Sequence, residues 1–116
     1  MTVVDKCREL AIQIVNLCKY LTDEKKEYVM SKQLLKSGTS IGANVVEAYN
    51  SQSKKEYIAK MNIALKEAAE SEYWLKILNE TNYLTNDEYK SINNDCVSIN
   101  KLLITIIKNT KKKYNL

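Results

Sequence analysis

The chain contains no proline and only two glycines, Gly38 and Gly42, so it has few residues for tight turns. Lys, Glu, Leu, Ile and Asn dominate the remainder. Long helices joined by short connections are therefore favoured over strands. At 116 residues one domain with one core is expected over residues 1–116.

Three helix starts carry the capping-box pattern, a hydroxyl with an acid three residues later: Thr2 with Asp5, Ser53 with Glu56, and Thr85 with Glu88. A fourth start falls at Thr22 or Asp23, where Asp23, Glu24 and Glu27 place negative charge near the positive end of a helix dipole. These signals predict helices near 3–21, 24–50, 54–82 and 86–112. With connections this short, consecutive helices are expected to run antiparallel, giving an all-α, up-down-up-down four-helix bundle.

Apolar spacing agrees with this division. Val3, Cys7, Leu10, Ile14, Leu17 and Leu21 form one stripe; Tyr57, Met61, Ala64, Leu65, Ala68 and Leu75 form another; Tyr89, Ile92, Cys96, Ile99, Leu103 and Ile106 a third. The second helix holds both glycines, each costing roughly 1 kcal/mol relative to alanine. Either it breaks at Ser37–Gly42, or it continues and the glycines admit a close neighbour. Continuity is favoured, because Leu34, Ile41, Val45 and Tyr49 keep helical spacing across them.

More apolar surface is present than one bundle needs. The fourth helix spreads Leu102, Ile104 and their neighbours over roughly 220°, against an arc of a little over ~100° for an isolated bundle helix. Ile63, Trp74 and Ile77 lie off the main stripe of the third helix, and Ile12 off that of the first. Scattered exposed apolar residues are ordinary, but several together with the only tryptophan point to contacts between copies in a homo-oligomer.

Histidine is absent, which removes the usual general base, His-dependent triads and His-ligated metals. The cysteines, Cys7, Cys18 and Cys96, lack C-x-x-C spacing, and no phosphate-cradling glycine loop occurs. Neither enzyme activity, nor a cofactor, nor a metal site is expected. The pairs Glu67 with Glu70, and Glu72 with the Glu56–Lys60 turn, sit at helical spacing and read as a solvated charged face. Cys7 and Cys18 lie about 16 Å apart along a helix, too far for a bridge, so buried free thiols are expected. The N-terminal segment MTVVDKCREL offers no apolar signal segment, and no run approaches the roughly 18 apolar residues of a membrane span. A cytoplasmic location without a membrane partner is expected.

Two polar features remain. Ser37, Ser40, Asn44 and Glu47 follow one helical face and read either as a small binding groove or as hydrogen bonds between close helices. Of the net charge of +4, most lies in residues 87–116, with six basic against three acidic groups. There Lys108, Lys111, Lys112 and Lys113 cluster beside Tyr114. They either complement a helix C-terminus or, repeated around an oligomer, form a surface for phosphates.

The segments SIGANVVEAY (Ser40 to Tyr49), KKEYIAKMNIALKEAAESEYWL (Lys54 to Leu75) and NYLTNDEY (Asn82 to Tyr89), in this order and spacing, resemble the bacterial four helix bundle protein family, also called the 23S rRNA intervening-sequence protein family. The likeness covers nearly the whole chain. Its most specific part is Ser40-Ile41, Asn44 and Glu47, followed by Ala64, Glu70, Glu72 and Leu75. The resemblance implies rings of five and no established enzymatic activity. It also implies kinship with the accessory variability determinant of diversity-generating retroelements, a basic pentamer that binds nucleic acid and its reverse transcriptase. Lys66 and Glu67 stand where relatives often carry a Gly-Ser pair, and Ala48 where glycine often follows the glutamate. Together these readings predict a non-catalytic, pentameric helical-bundle adaptor that binds RNA or DNA through lysines. The alternative is a scaffold for another protein, such as a reverse transcriptase, without nucleic-acid binding.

Overall fold

The computed structural model describes residues Met1–Leu116 as four helices and no strand, an arrangement compatible with a four-helix bundle. They are α1 (Val3–Asp23), α2 (Met30–Tyr49), α3 (Lys54–Glu80) and α4 (Asn86–Tyr114). The molecule measures 48 × 23 × 21 Å. A hydrophobic core of 22 buried residues draws on all four helices. α2 packs most extensively against α3, and the seam between α1 and α4 is the sparsest.

Two predicted capping boxes form in full. Thr2 and Asp5 exchange hydrogen bonds at the start of α1, as do Thr85 and Glu88 at the start of α4. The third forms by half: Ser53 Oγ accepts from the Glu56 N–H at 3.0 Å, but the Glu56 carboxylate accepts from the Gln52 N–H instead of that of Ser53. The termini of α3 and α4 shift by two residues from expectation, for visible reasons. α3 stops at Glu80 rather than residue 82 because Asn82 adopts a left-handed conformation (φ 68°), and the Tyr83 N–H closes back onto the Leu78 carbonyl at 2.9 Å. α4 continues past residue 112 to Tyr114, where Asn115 (φ 54°) ends it and the Leu116 N–H reaches the Lys111 carbonyl.

The start of α2 differs most from the sequence reading. Thr22 and Asp23 belong to the last turn of α1, and α2 begins at Met30 rather than residue 24. Residues 24–29 are a connection, turned by Lys26 at φ 55°. Val29 at the N-cap supplies no side-chain bond. Glu27 does this from outside the helix: its carboxylate accepts from the N–H groups of Val29 (3.1 Å), Met30 (3.0 Å) and Ser31 (2.7 Å). Burial works against a charged Glu27, yet the N–H donors of Ser31, Met30 and Val29 outweigh it and hold the carboxyl below its ordinary pKa.

α2 continues without a break through both glycines. They lie against α1, where a Cβ at Gly38 would overlap Ile14 Cδ1, and one at Gly42 would stand 3.1 Å from Cys7 Cβ. The absent side chains thus set how closely the two helices approach. On the α3 side, Ser37 and Ser71 share a buried hydrogen bond of 2.9 Å.

Two outcomes test this account. Gly38→Ala gains roughly 1 kcal/mol of helix propensity, but fully buried Ile14 has little room to give way, and overpacking costs about 1–3 kcal/mol. The urea midpoint is expected to fall, and Gly38→Ala with Ile14→Val to recover part of the loss; a midpoint rise in the single variant would show that the glycine does not set the spacing. Glu27→Gln should cost about 1 kcal/mol at neutral pH. Because the folded carboxyl titrates below its unfolded value of about 4.3, its contribution is complete above that pH and is lost as pH falls through the folded value. The gap between wild type and Glu27→Gln in urea midpoint should therefore close on acidification, and a gap independent of pH would refute the role of the charge.

Candidate functional site

The polar stripe of α2 is engaged in hydrogen bonds. Ser37 bonds Ser71, Ser40 Oγ donates to the Lys36 carbonyl at 2.6 Å, and Asn44 Nδ2 donates to the Ser40 carbonyl at 2.8 Å. Glu47 pairs with Lys60 at 3.3 Å across to α3. None of the five principal clefts is lined by any of the four. On α3, Glu70 is exposed and accepts from the Trp74 indole N–H at 3.2 Å. Glu72 accepts from Asn100 Nδ2 at 2.6 Å, linking α3 to α4.

All three cysteines are free and buried. Burial raises the thiol pKa of Cys7 and Cys18 to about 11 and that of Cys96 to about 12. At neutral pH they are therefore protonated and poor nucleophiles. No three Cys, Asp or Glu side chains converge in an arrangement able to hold a metal ion. No helix is long and apolar enough to cross a membrane.

The apolar residues assigned to contacts between copies fall into two groups. Trp74 and Leu102 are half-buried and pack against the chain's own core, and Ile77 is half-buried too. Ile12, Ile104 and Ile63 remain 54%, 50% and 39% exposed.

The structure also divides the lysine cluster. All four lysines are exposed and none is paired with a carboxylate. At 3.6 residues per turn, Lys108 and Lys112 share the face of α4 turned away from Leu103 and Ile107, which are buried, while Lys111 stands one turn beyond Ile107 on the flank of that stripe. Lys113 turns the other way, with its ammonium 5.4 Å from the Tyr114 ring centroid.

Beneath Lys113 lies a cleft of about 360 Å³, lined by Tyr49, Lys54, Tyr57, Asn109, Thr110, Lys113 and Tyr114. The end of α2, the start of α3 and the end of α4 meet there. Lys54 Nζ sits between two rings, 4.7 Å from the Tyr114 centroid and 5.7 Å from that of Tyr57. Tyr49 and Tyr57 lie 6.0 Å apart, tilted by 48°. Burial first, and then the neighbouring Tyr49, raise the pKa of the Tyr57 hydroxyl and keep it protonated. A second hollow of about 340 Å³ adjoins through Tyr49, Lys54 and Tyr57, and extends to Ser51, Gln52 and Ser53. No carboxylate lines either cavity.

Sequence reasoning named the lysines but not this cleft, treating Tyr57 only as core and Tyr49 only as a marker of helical spacing. The available signal was positional: Tyr49, the Lys54–Tyr57 turn and Tyr114 fall at the end of α2, the start of α3 and the end of α4, which line one cleft. What forms is an all-α protein whose distinctive surface chemistry is a cationic, tyrosine-lined cleft beside an exposed lysine face.

The chain belongs to the 23S rRNA-intervening sequence protein family, whose model matches residues 1–105. It is also similar to a protein of unknown function from the S23 ribosomal protein family of Bacteroides thetaiotaomicron VPI-5482, whose crystal structure was determined at 1.70 Å. The two are 61% identical with a TM-score of 0.92, over 92% of this chain and 99% of that one. No curated protein matches the chain. Lys108 to Tyr114 lie beyond the family match, whereas Tyr49, Lys54 and Tyr57 lie within it.

Proposed function

We propose that this chain is a non-catalytic accessory protein, an up-down-up-down bundle that assembles as a homopentamer and binds RNA or DNA through the lysines at the end of α4. The observation that carries the reading is the exposure of Lys108, Lys111 and Lys112 at the end of α4, none of them paired with a carboxylate. A single copy holds too few cations for tight binding. Repetition around a ring raises the effective concentration of each further contact, and every neutralised phosphate releases counterions.

Short connections between helices of 20 to 29 residues support the alternating direction. The exposed isoleucines at 12, 63 and 104 support assembly, since burying them between copies removes apolar area from water at roughly 25 cal/mol per Å². The absence of histidine and the suppressed ionisation of the thiols support a non-catalytic role. The proposed location is the cytoplasm, where free thiols persist.

Native mass spectrometry is expected to give five times the 13.4 kDa chain mass, and Ile12→Asp with Ile104→Asp to give smaller species. A monomer at micromolar concentration removes the assembly. Binding to a nucleic acid measured across a salt series should fall steeply, and the variant Lys108→Ala, Lys111→Ala, Lys112→Ala should flatten the log–log slope by about 2 per protomer engaged. An unchanged slope moves the phosphate contacts elsewhere. Absence of binding, together with salt-insensitive capture of a reverse transcriptase, supports the protein-scaffold alternative.

A further inference from the structure

The cleft at the meeting of α2, α3 and α4 offers more than charge. Resting on the nucleic-acid reading above, we infer that Tyr49, Tyr57 and Tyr114, with Lys54 and Lys113, form a stacking site for an unpaired base, so that the ligand is single-stranded.

Tyr49 is 53% and Tyr114 43% exposed, so an incoming ring can reach both. Lys54 Nζ, held 4.7 Å and 5.7 Å from two ring centroids, is placed to meet the phosphate of the same nucleotide. Lys113 Nζ also lies by the Tyr114 ring, 5.4 Å from its centroid. Asn109 and Thr110 add polar groups to the wall, and no acidic side chain in the lining repels a phosphate. The volume, about 360 Å³, lies within the ~300–1,000 Å³ of small-ligand clefts, and the adjoining hollow continues it along the α2–α3 turn.

Alternating aromatic faces and ammonium groups are what a flexible strand with splayed bases requires. In a duplex the bases are stacked on one another, and their faces cannot meet tyrosine. At ~100° per residue, Lys108 and Lys112 stand on the side of α4 away from this cleft. They supply charge to single strands and duplexes alike, whereas the cleft discriminates between them. Because Tyr114 and Lys113 lie beyond residues 1–105, the segment that the family model matches, the clamp is completed by this chain's own last turn.

The test uses the full chain and fluorescein-labelled oligothymidylate, the same backbone without bases, and a hairpin duplex, compared by fluorescence anisotropy at one salt concentration. Oligothymidylate is expected to bind about tenfold more tightly than the abasic strand. Tyr49→Leu and Tyr114→Leu, both at exposed positions, should each remove most of that difference while leaving duplex affinity unchanged. Tyr114→Trp should retain it. Circular dichroism verifies that each variant is folded. Equal affinity for the abasic strand, or oligothymidylate binding indifferent to both leucine variants, overturns the stacking site while leaving the lysine face standing. Loss of all binding in the wild-type protein, duplex and single strand alike, overturns both.

Discussion

The approach of α1 to α2 at Gly38 and Gly42 is the constraint from which the rest of the packing follows. Ile14 and Cys7 occupy the space two side chains would otherwise fill, so α1 settles deep against α2. An adjacent face of α2 meets α3 along its most extensive contact, with the Ser37–Ser71 hydrogen bond buried in it. A helix held closely on two adjoining faces has little freedom to tilt. That rigidity places Tyr49 at the end of α2 against Tyr57 at the start of α3.

Most helix termini were legible because their signals are local. A hydroxyl and an acid three residues apart can bond each other's backbone whatever the remainder of the chain does, which is why Thr2–Asp5 and Thr85–Glu88 mark α1 and α4 correctly. The start of α2 lacks that pattern. Glu27 caps it from two residues before the N-cap, and this works only because Lys26 adopts a left-handed turn that folds the chain back. A non-glycine residue at positive φ carries no clear sequence mark, so the acids Asp23, Glu24 and Glu27 suggested a start six residues early. Glu56 shows the reverse limit: the motif is present, but its carboxylate finds the Gln52 N–H instead.

For the candidate site, composition disclosed the charge but not its direction. Four lysines within six positions read as one patch, yet a helix turns ~100° per residue, and Lys113 falls on the other flank of the buried stripe from Lys111. Whether the run was helical or a loose tail decided the matter, and that depended on Asn115 and on the Leu116 N–H closing onto Lys111. The tyrosines were hidden for another reason: Tyr57 keeps core spacing, and periodicity cannot distinguish an aromatic ring that fills a core from one that lines its rim.

The division between the two lysine groups bears on how such a surface evolves. A cation attracts an anion through distance alone, so exposed lysines on α4 can drift in position and keep their charge. The placing of the Lys54 ammonium over both Tyr57 and Tyr114 requires the last turn of α4 to stay in register with the α2–α3 turn, and that register is transmitted through Leu103 and Ile107 into the shared core. The cleft therefore depends on packing in a way the outer lysines do not. Anything that loosens the end of α4 should dissolve its shape while leaving the charge in place.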